Sequence, residues 1–112
     1  MPNKSSDLTS TSHKSIMDWQ GRSGAHYRLI EENLASFIMN EADLYVVADG
    51  HRVLWIGSAS ELVSDANSRA SFRKALISAT AAFRLETPLD RNAAIWDLEN
   101  GLMAGPIAAR AA

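Results

Sequence analysis

The sequence predicts an α+β domain in which a small three-stranded antiparallel sheet is flanked by helices, in the order α-β-β-α-β-α. Three observations lead there. Two apolar runs, 43–48 and 51–57, flank Asp49-Gly50, a dipeptide that suits a tight hairpin turn because both residues tolerate left-handed backbone. Apolar residues recur at spacings of three and four in 25–39, 60–81 and 91–103, which is the helical period. "FRLET" (83–87) alternates Phe83, Leu85 and Thr87 with Arg84 and Glu86, the pattern of a half-buried strand.

Residues 1–24 read as a flexible tail and linker. Between Met1 and Ile16 the only large apolar residue is Leu8, too little to offset the entropy of ordering. "MDWQGRSG" (17–24) reads as linker or as a short piece pinned by Trp19. In 25–39, Tyr27, Ile30, Leu34, Phe37 and Ile38 form a stripe, with Arg28, Glu31, Glu32 and Ser36 largely opposite. Asn40 stops that helix. The hairpin strands are apolar at nearly every residue, as strands covered on both faces are. The helix over 60–81 runs in one piece or in two, with Ser60 capping the first and Asp65 the second. Its stripe is Phe72, Leu76, Ile77 and Thr80. Pro88 ends the third strand, and Asp90 caps a last helix, 91–103, whose buried stripe is Ile95, Leu98 and Leu102, with Asp97 pointing away. Gly101, Gly105 and Pro106 close it. The single domain thus spans 25–105, and 106–112 reads as a frayed tail.

At 112 residues the chain can bury one core. A net charge of −2 gives no global signature for nucleic acid or anionic membrane, though a local basic patch is compatible with it. With no cysteine there is no disulfide, no thiolate nucleophile and no zinc–thiolate site. His13, His26 and His51 are scattered. No apolar run approaches the ~20 residues of a membrane span, and the N-terminus lacks the apolar middle of a secretory signal. The reading expects a soluble, cytoplasmic protein without membrane partners. One local bias stands out: 66–85 carries Arg69, Arg73, Lys74 and Arg84 and no acidic residue.

Asp43-Leu44-Tyr45 and Trp55-Ile56-Gly57, with Tyr45 and Trp55 ten apart, are followed by Arg69 or Arg73 on a helix and by Glu99 on the last one. This arrangement resembles the GIY-YIG nuclease superfamily, whose core has the order β-β-α-β-α; the resemblance covers roughly 43–103. Asp43 and Leu44 replace the first Gly and Ile, and Trp55 replaces a tyrosine. An indole keeps an aromatic plane and an N–H donor but cannot relay a proton as a phenol does. Ser58 and Ala59 stand where the family often has a basic residue. The resemblance implies a DNA endonuclease that hydrolyses phosphodiesters with Mg²⁺. Glu99 would hold the metal, Arg69 or Arg73 would stabilise the phosphate, and Tyr45 would orient or deprotonate the water. His51 would carry protons, and Trp55 would stand for the second tyrosine.

Two other readings compete. An inactive relative would bind nucleic acid through Arg69, Arg73, Lys74 and Arg84. A small interaction protein, as a homodimer or with another protein, would use Trp19, Trp55 or Trp96 as an anchor. Each site residue also has a purely structural reading. Tyr45 and Trp55 suit a core, the basic residues suit a solvated helix face, His51 suits an exposed loop, and Glu99 suits the border of a buried stripe. The hairpin register separates these readings. A two-residue turn at Asp49-Gly50 pairs Ala48 with His51 and puts Tyr45 and Trp55 on opposite faces. A three-residue turn with Gly50 left-handed pairs Val47 with His51 and puts Tyr45, Val47, His51, Val53 and Trp55 on one face. The nuclease plan needs the second.

Overall fold

In the computed structural model, which describes residues 15–106, the sheet has six strands rather than three. In chain order these are β1 (Ile16–Gln20), β2 (His26–Glu32), β3 (Leu44–Asp49), β4 (Arg52–Gly57), β5 (Ala81–Leu85) and β6 (Leu102–Pro106). The helices are α1 (Ala59–Ser64), α2 (Ala66–Ser78) and α3 (Arg91–Glu99). The sheet order is β1-β2-β5-β3-β4-β6, antiparallel throughout. The sheet curls until β4 meets β6 at one pair, Arg52 with Leu102. The α+β class stands, but the small three-stranded sheet does not.

The three extra strands come from stretches with misleading local signals. Residues 25–39 were expected to be helical, and Tyr27 and Leu29 are the point of ambiguity. They alternate with His26 and Arg28, and β2 uses that alternation, its ladder paired to β1 on one side and β5 on the other. β1 lies in the expected linker. Its Met17 and Trp19 face the core while Asp18 and Gln20 alternate with them. The last helix ends at Glu99, not 103, and Leu102 to Pro106 form β6 against β1. Pro106, expected in a frayed tail, is thus in a strand, whereas 1–14 and 107–112 lie outside the described residues.

Other local signals are realised. Asp90 Oδ1 accepts the N–H of Ala93 at 3.0 Å, and Asp65 Oδ1 accepts those of Asn67 and Ser68 at 2.9 and 3.3 Å. Asp65 separates the two pieces expected of 60–81. The first piece is capped by Ser58 rather than Ser60, with the Ser58 N–H directed at Glu61 Oε1, 3.4 Å away. The "FRLET" strand sits two residues earlier, at Ala81–Leu85.

Two apolar layers sandwich β3. Inside the curl, Trp19, Leu29, Val46, Ala48, Ile56 and Phe83 pack on Leu98 of α3. Trp19 meets Phe83 edge-on with ring centroids 5.4 Å apart. Outside, Tyr45, Val47 and Trp55 lie beneath Ala75 and Phe72 of α2 and against Phe37 of the β2–β3 loop. The expectation of strands covered on both faces holds most fully for β3, buried from Leu44 to Ala48.

The hairpin adopts neither expected register. Asp49 pairs with Arg52 across a Gly50-His51 turn, and Gly50 is left-handed at φ +61°. Ala48 pairs with Val53 and Val47 with Trp55, so Leu54 is an extra residue on β4. The Gly50-His51 turn sets Val53 opposite Ala48 in the inner layer and Leu54 in the outer one, the reverse of the three-residue-turn assignment, and the bulge then keeps Trp55 on the outer side with Val47.

Candidate functional site

The bulge leaves Tyr45 and Trp55 on one face, as the nuclease plan requires, but both are walled in. Tyr45 is 1% exposed; its ring stacks on Phe37 and its hydroxyl accepts the N–H of Asn40 at 2.8 Å. Trp55 is 7% exposed, packs edge-on to Phe72, and points its Nε1–H at Ser68 Oγ, 3.4 Å away. Arg69 spends its guanidinium on α1: Nη1 donates to the carbonyls of Leu62 and Val63, both at 3.0 Å. Cations suit that position, because the last carbonyls of a helix lack partners.

Arg84 is held by three carboxylates. Its Nε donates to Glu32 at 2.8 Å, and its Nη1 to Asp43 at 3.1 Å and to Glu86 at 3.0 Å. The Glu32 bond, followed by those to Glu86 and Asp43, outweighs burial and raises its pKa. Arg73 and Lys74 are exposed on α2, His51 is exposed in the turn, and Glu99 is exposed at the end of α3. The four basic residues of 66–85 therefore do not act as one patch. Trp19 is fully buried, and of the three tryptophans only Trp96 is open, 53% exposed beneath the Arg22 guanidinium.

The residues do not fit a Mg²⁺ site on the GIY-YIG plan. The phenol that would orient water is sealed and bonded, and the arginine nearest the motif caps a helix. Among the described residues no three of His, Asp or Glu gather into a metal-holding group.

Two polar hubs were not legible in the sequence. Asp43, 4% exposed, accepts from the Thr87 N–H and the Asn40 amide, both at 2.8 Å, and from Arg84. Burial alone would raise its pKa; the Thr87 N–H, the Asn40 amide and Arg84 together outweigh burial and lower it. Thr87 sits at φ +30°, which a β-branched residue resists, so the Asp43 bond holds a strained turn. Asp97, expected to point away, is 5% exposed and ties α3 to the β1–β2 loop. Its carboxylate accepts from the Tyr27 hydroxyl, the Ser23 N–H and the Ser23 hydroxyl, each at 2.7 Å. Those bonds lower its pKa, the Tyr27 bond most, and burial together with Asp97 pushes the Tyr27 phenol up to about 12.

The concave feature nearest the motif is a groove of about 480 Å³ beside β4. Its floor is Val53 to Ile56. One wall is the start of α2, with Asp65, Asn67, Ser68 and Ser71; the other is α3, with Ile95 and Glu99; Glu61 of α1 also lines it. β3 pairs with one side of β4 along its whole length, but on the other side no described strand pairs beyond Arg52. The peptide groups of 53–57 that point away from β3 thus have no ladder partner among the described strands, and Val53 to Ile56 border the groove. Gly57 ends the strand where a Cβ would collide with the Glu61 carboxylate and the Trp55 ring. Of the expected site residues, the groove brings together Trp55 and Glu99 only. Among the described residues no helix is long and apolar enough to cross a membrane.

No family model, curated protein or solved structure matches the chain.

Proposed function

We propose that the chain is a small protein-interaction module that takes an extended segment of a partner protein along the open edge of β4. One observation carries this reading: the unpaired side of 53–57 runs along the floor of a walled groove. An unpaired edge is a template for one more strand, and proteins normally blunt such edges with charge, proline or cover. Here the edge carries Val53, Leu54, Trp55 and Ile56; the Leu54 bulge bends it and α3 packs against it, leaving Val53 and Leu54 its more open part. Strand addition draws affinity from main-chain hydrogen bonds and selectivity from pockets for alternate side chains.

The test is selection of random peptides displayed on phage, followed by amide shift mapping of the bound ¹⁵N-labelled chain. The expected outcome is that the largest shifts fall on 54–57, Ser68 and Glu99. Shifts confined to the outer surface of α2, around Arg73 and Ile77, would count against it. A GIY-YIG-like endonuclease is the competing reading: Tyr45 and Trp55 sharing a face and Trp55 and Glu99 lining one groove favour it, and the buried Tyr45 and helix-capping Arg69 oppose it. Mg²⁺-dependent nicking of supercoiled plasmid that disappears in Glu99→Ala would favour it.

A further inference from the structure

We infer that the segment taken by the β4 groove is basic, and this rests on the strand-addition reading above. Glu61, Asp65 and Glu99 line the groove, and no Lys, Arg or His does. Two of these carboxylates serve the fold as well: Asp65 caps α2, and Glu61 Oε1 faces the Ser58 N–H. These bonds fix both carboxylates in place. Glu99 is exposed and makes no hydrogen bond or ion pair with a described residue, so it is free to meet a cation.

The charge pattern also selects among occupants. A nucleic acid or an acidic segment would bring negative charge onto a lining that offers no counter-charge. A second copy joined edge to edge would set each copy's carboxylates against those of the other, and like charges brought together at an interface select against that partner. A basic segment meets neither obstacle.

Side chains of an added strand point alternately to the two walls. Those directed at α3 meet Ile95 and Glu99, one helical turn apart, or about 6 Å along the axis. Like-facing residues of a strand repeat at about 6.7 Å. A segment with an apolar residue and a lysine or arginine two positions apart therefore serves both, while its other row meets Asn67, Ser68 and Ser71.

The experiment uses acetylated peptides Thr-Val-Thr-Xaa-Thr-Val-Thr-Xaa, with Xaa lysine, threonine or glutamate, titrated into the ¹⁵N-labelled full chain at low salt. The lysine peptide is expected to shift the amides of 54–57 and to bind at least tenfold tighter than the glutamate peptide. Added salt narrows that gap, since the pairs are close to solvent. Glu99→Lys, an exposed change that spares both helix caps, is expected to lower the lysine peptide's affinity at least fivefold and raise that of the glutamate peptide. Equal affinity for the lysine and threonine peptides, with 54–57 still shifting, would overturn the basic segment and leave strand addition standing. No shift at 54–57 with any peptide would overturn both. Shifts at 54–57 that track protein concentration without peptide would assign the edge to a second copy and overturn the inference.

Discussion

Asp43→Ala tests how much of the fold hangs on one buried carboxylate. The structure uses it to tie the β2–β3 loop to β5 and to the turn that follows β5. Its charge-assisted bond with Arg84 is worth about 1.5–3 kcal/mol, and the Thr87 N–H adds about 1 kcal/mol. The Asn40 amide is on an exposed residue that water can serve, so it adds less. Arg84 keeps Glu32 and Glu86 after the change, which limits the cost of stranding its charge. The net expectation is a loss of about 3 kcal/mol, or a fall in Tm of about 12 °C at roughly 4 °C per kcal/mol. Urea unfolding followed by tryptophan fluorescence reads this loss, with Trp19 and Trp55 reporting from the two layers. Asp43→Asn, which keeps the shape and an acceptor for Thr87, should recover about half of it. The pH dependence has a definite sign. A carboxyl whose folded pKa is lowered stabilises the fold above its unfolded value of about 3.9. That stability is lost as the pH falls through the lower folded value. The gap between wild type and Asp43→Ala should therefore shrink as the pH drops from 6 towards acid. A loss below about 1 kcal/mol at pH 7, or a gap that is flat with pH, would refute the reasoning.

Ultraviolet titration of the phenols should show a component near pH 12 that disappears in Tyr27→Phe. Because that pKa is raised, its stabilising effect is full below the unfolded value of about 10 and fades as the pH rises to 12. Arg69→Ala should cost about 1 kcal/mol in urea unfolding, since it bares the terminal carbonyls of α1, whereas Glu99→Ala should change stability by less than about 0.5 kcal/mol. An Arg69→Ala variant as stable as wild type would remove its capping role and return the residue to the candidates for phosphate binding.

What was legible in the sequence was what short-range chemistry decides. Asp49-Gly50 marked the hairpin, Asp65 and Asp90 marked two helix starts, and the apolar density of 44–48 marked a strand buried on both faces. β1, β2 and β6 were not legible because the β1–β2 hairpin and β6 are held by ladders to partners distant in sequence: Arg84 opposite Ile30, Trp19 opposite Met103. The Leu54 bulge could not be read either, since an inserted residue leaves no compositional trace, and it alone brings Trp55 to the face of Val47. Asp97 was misplaced because the buried stripe of the last helix was drawn through Leu102, which lies beyond the helix end. The groove follows from β4 and β6 touching at a single pair, a property of the closure rather than of either segment.

The most direct test of the account is the set of nuclear Overhauser contacts between a bound basic peptide and β4. Strand addition predicts cross-strand contacts from the peptide backbone to the backbone of 54–57, with slowed hydrogen exchange at the outward-facing amides of that run. Peptide contacts made only through side chains, with exchange at 54–57 unchanged, would contradict it.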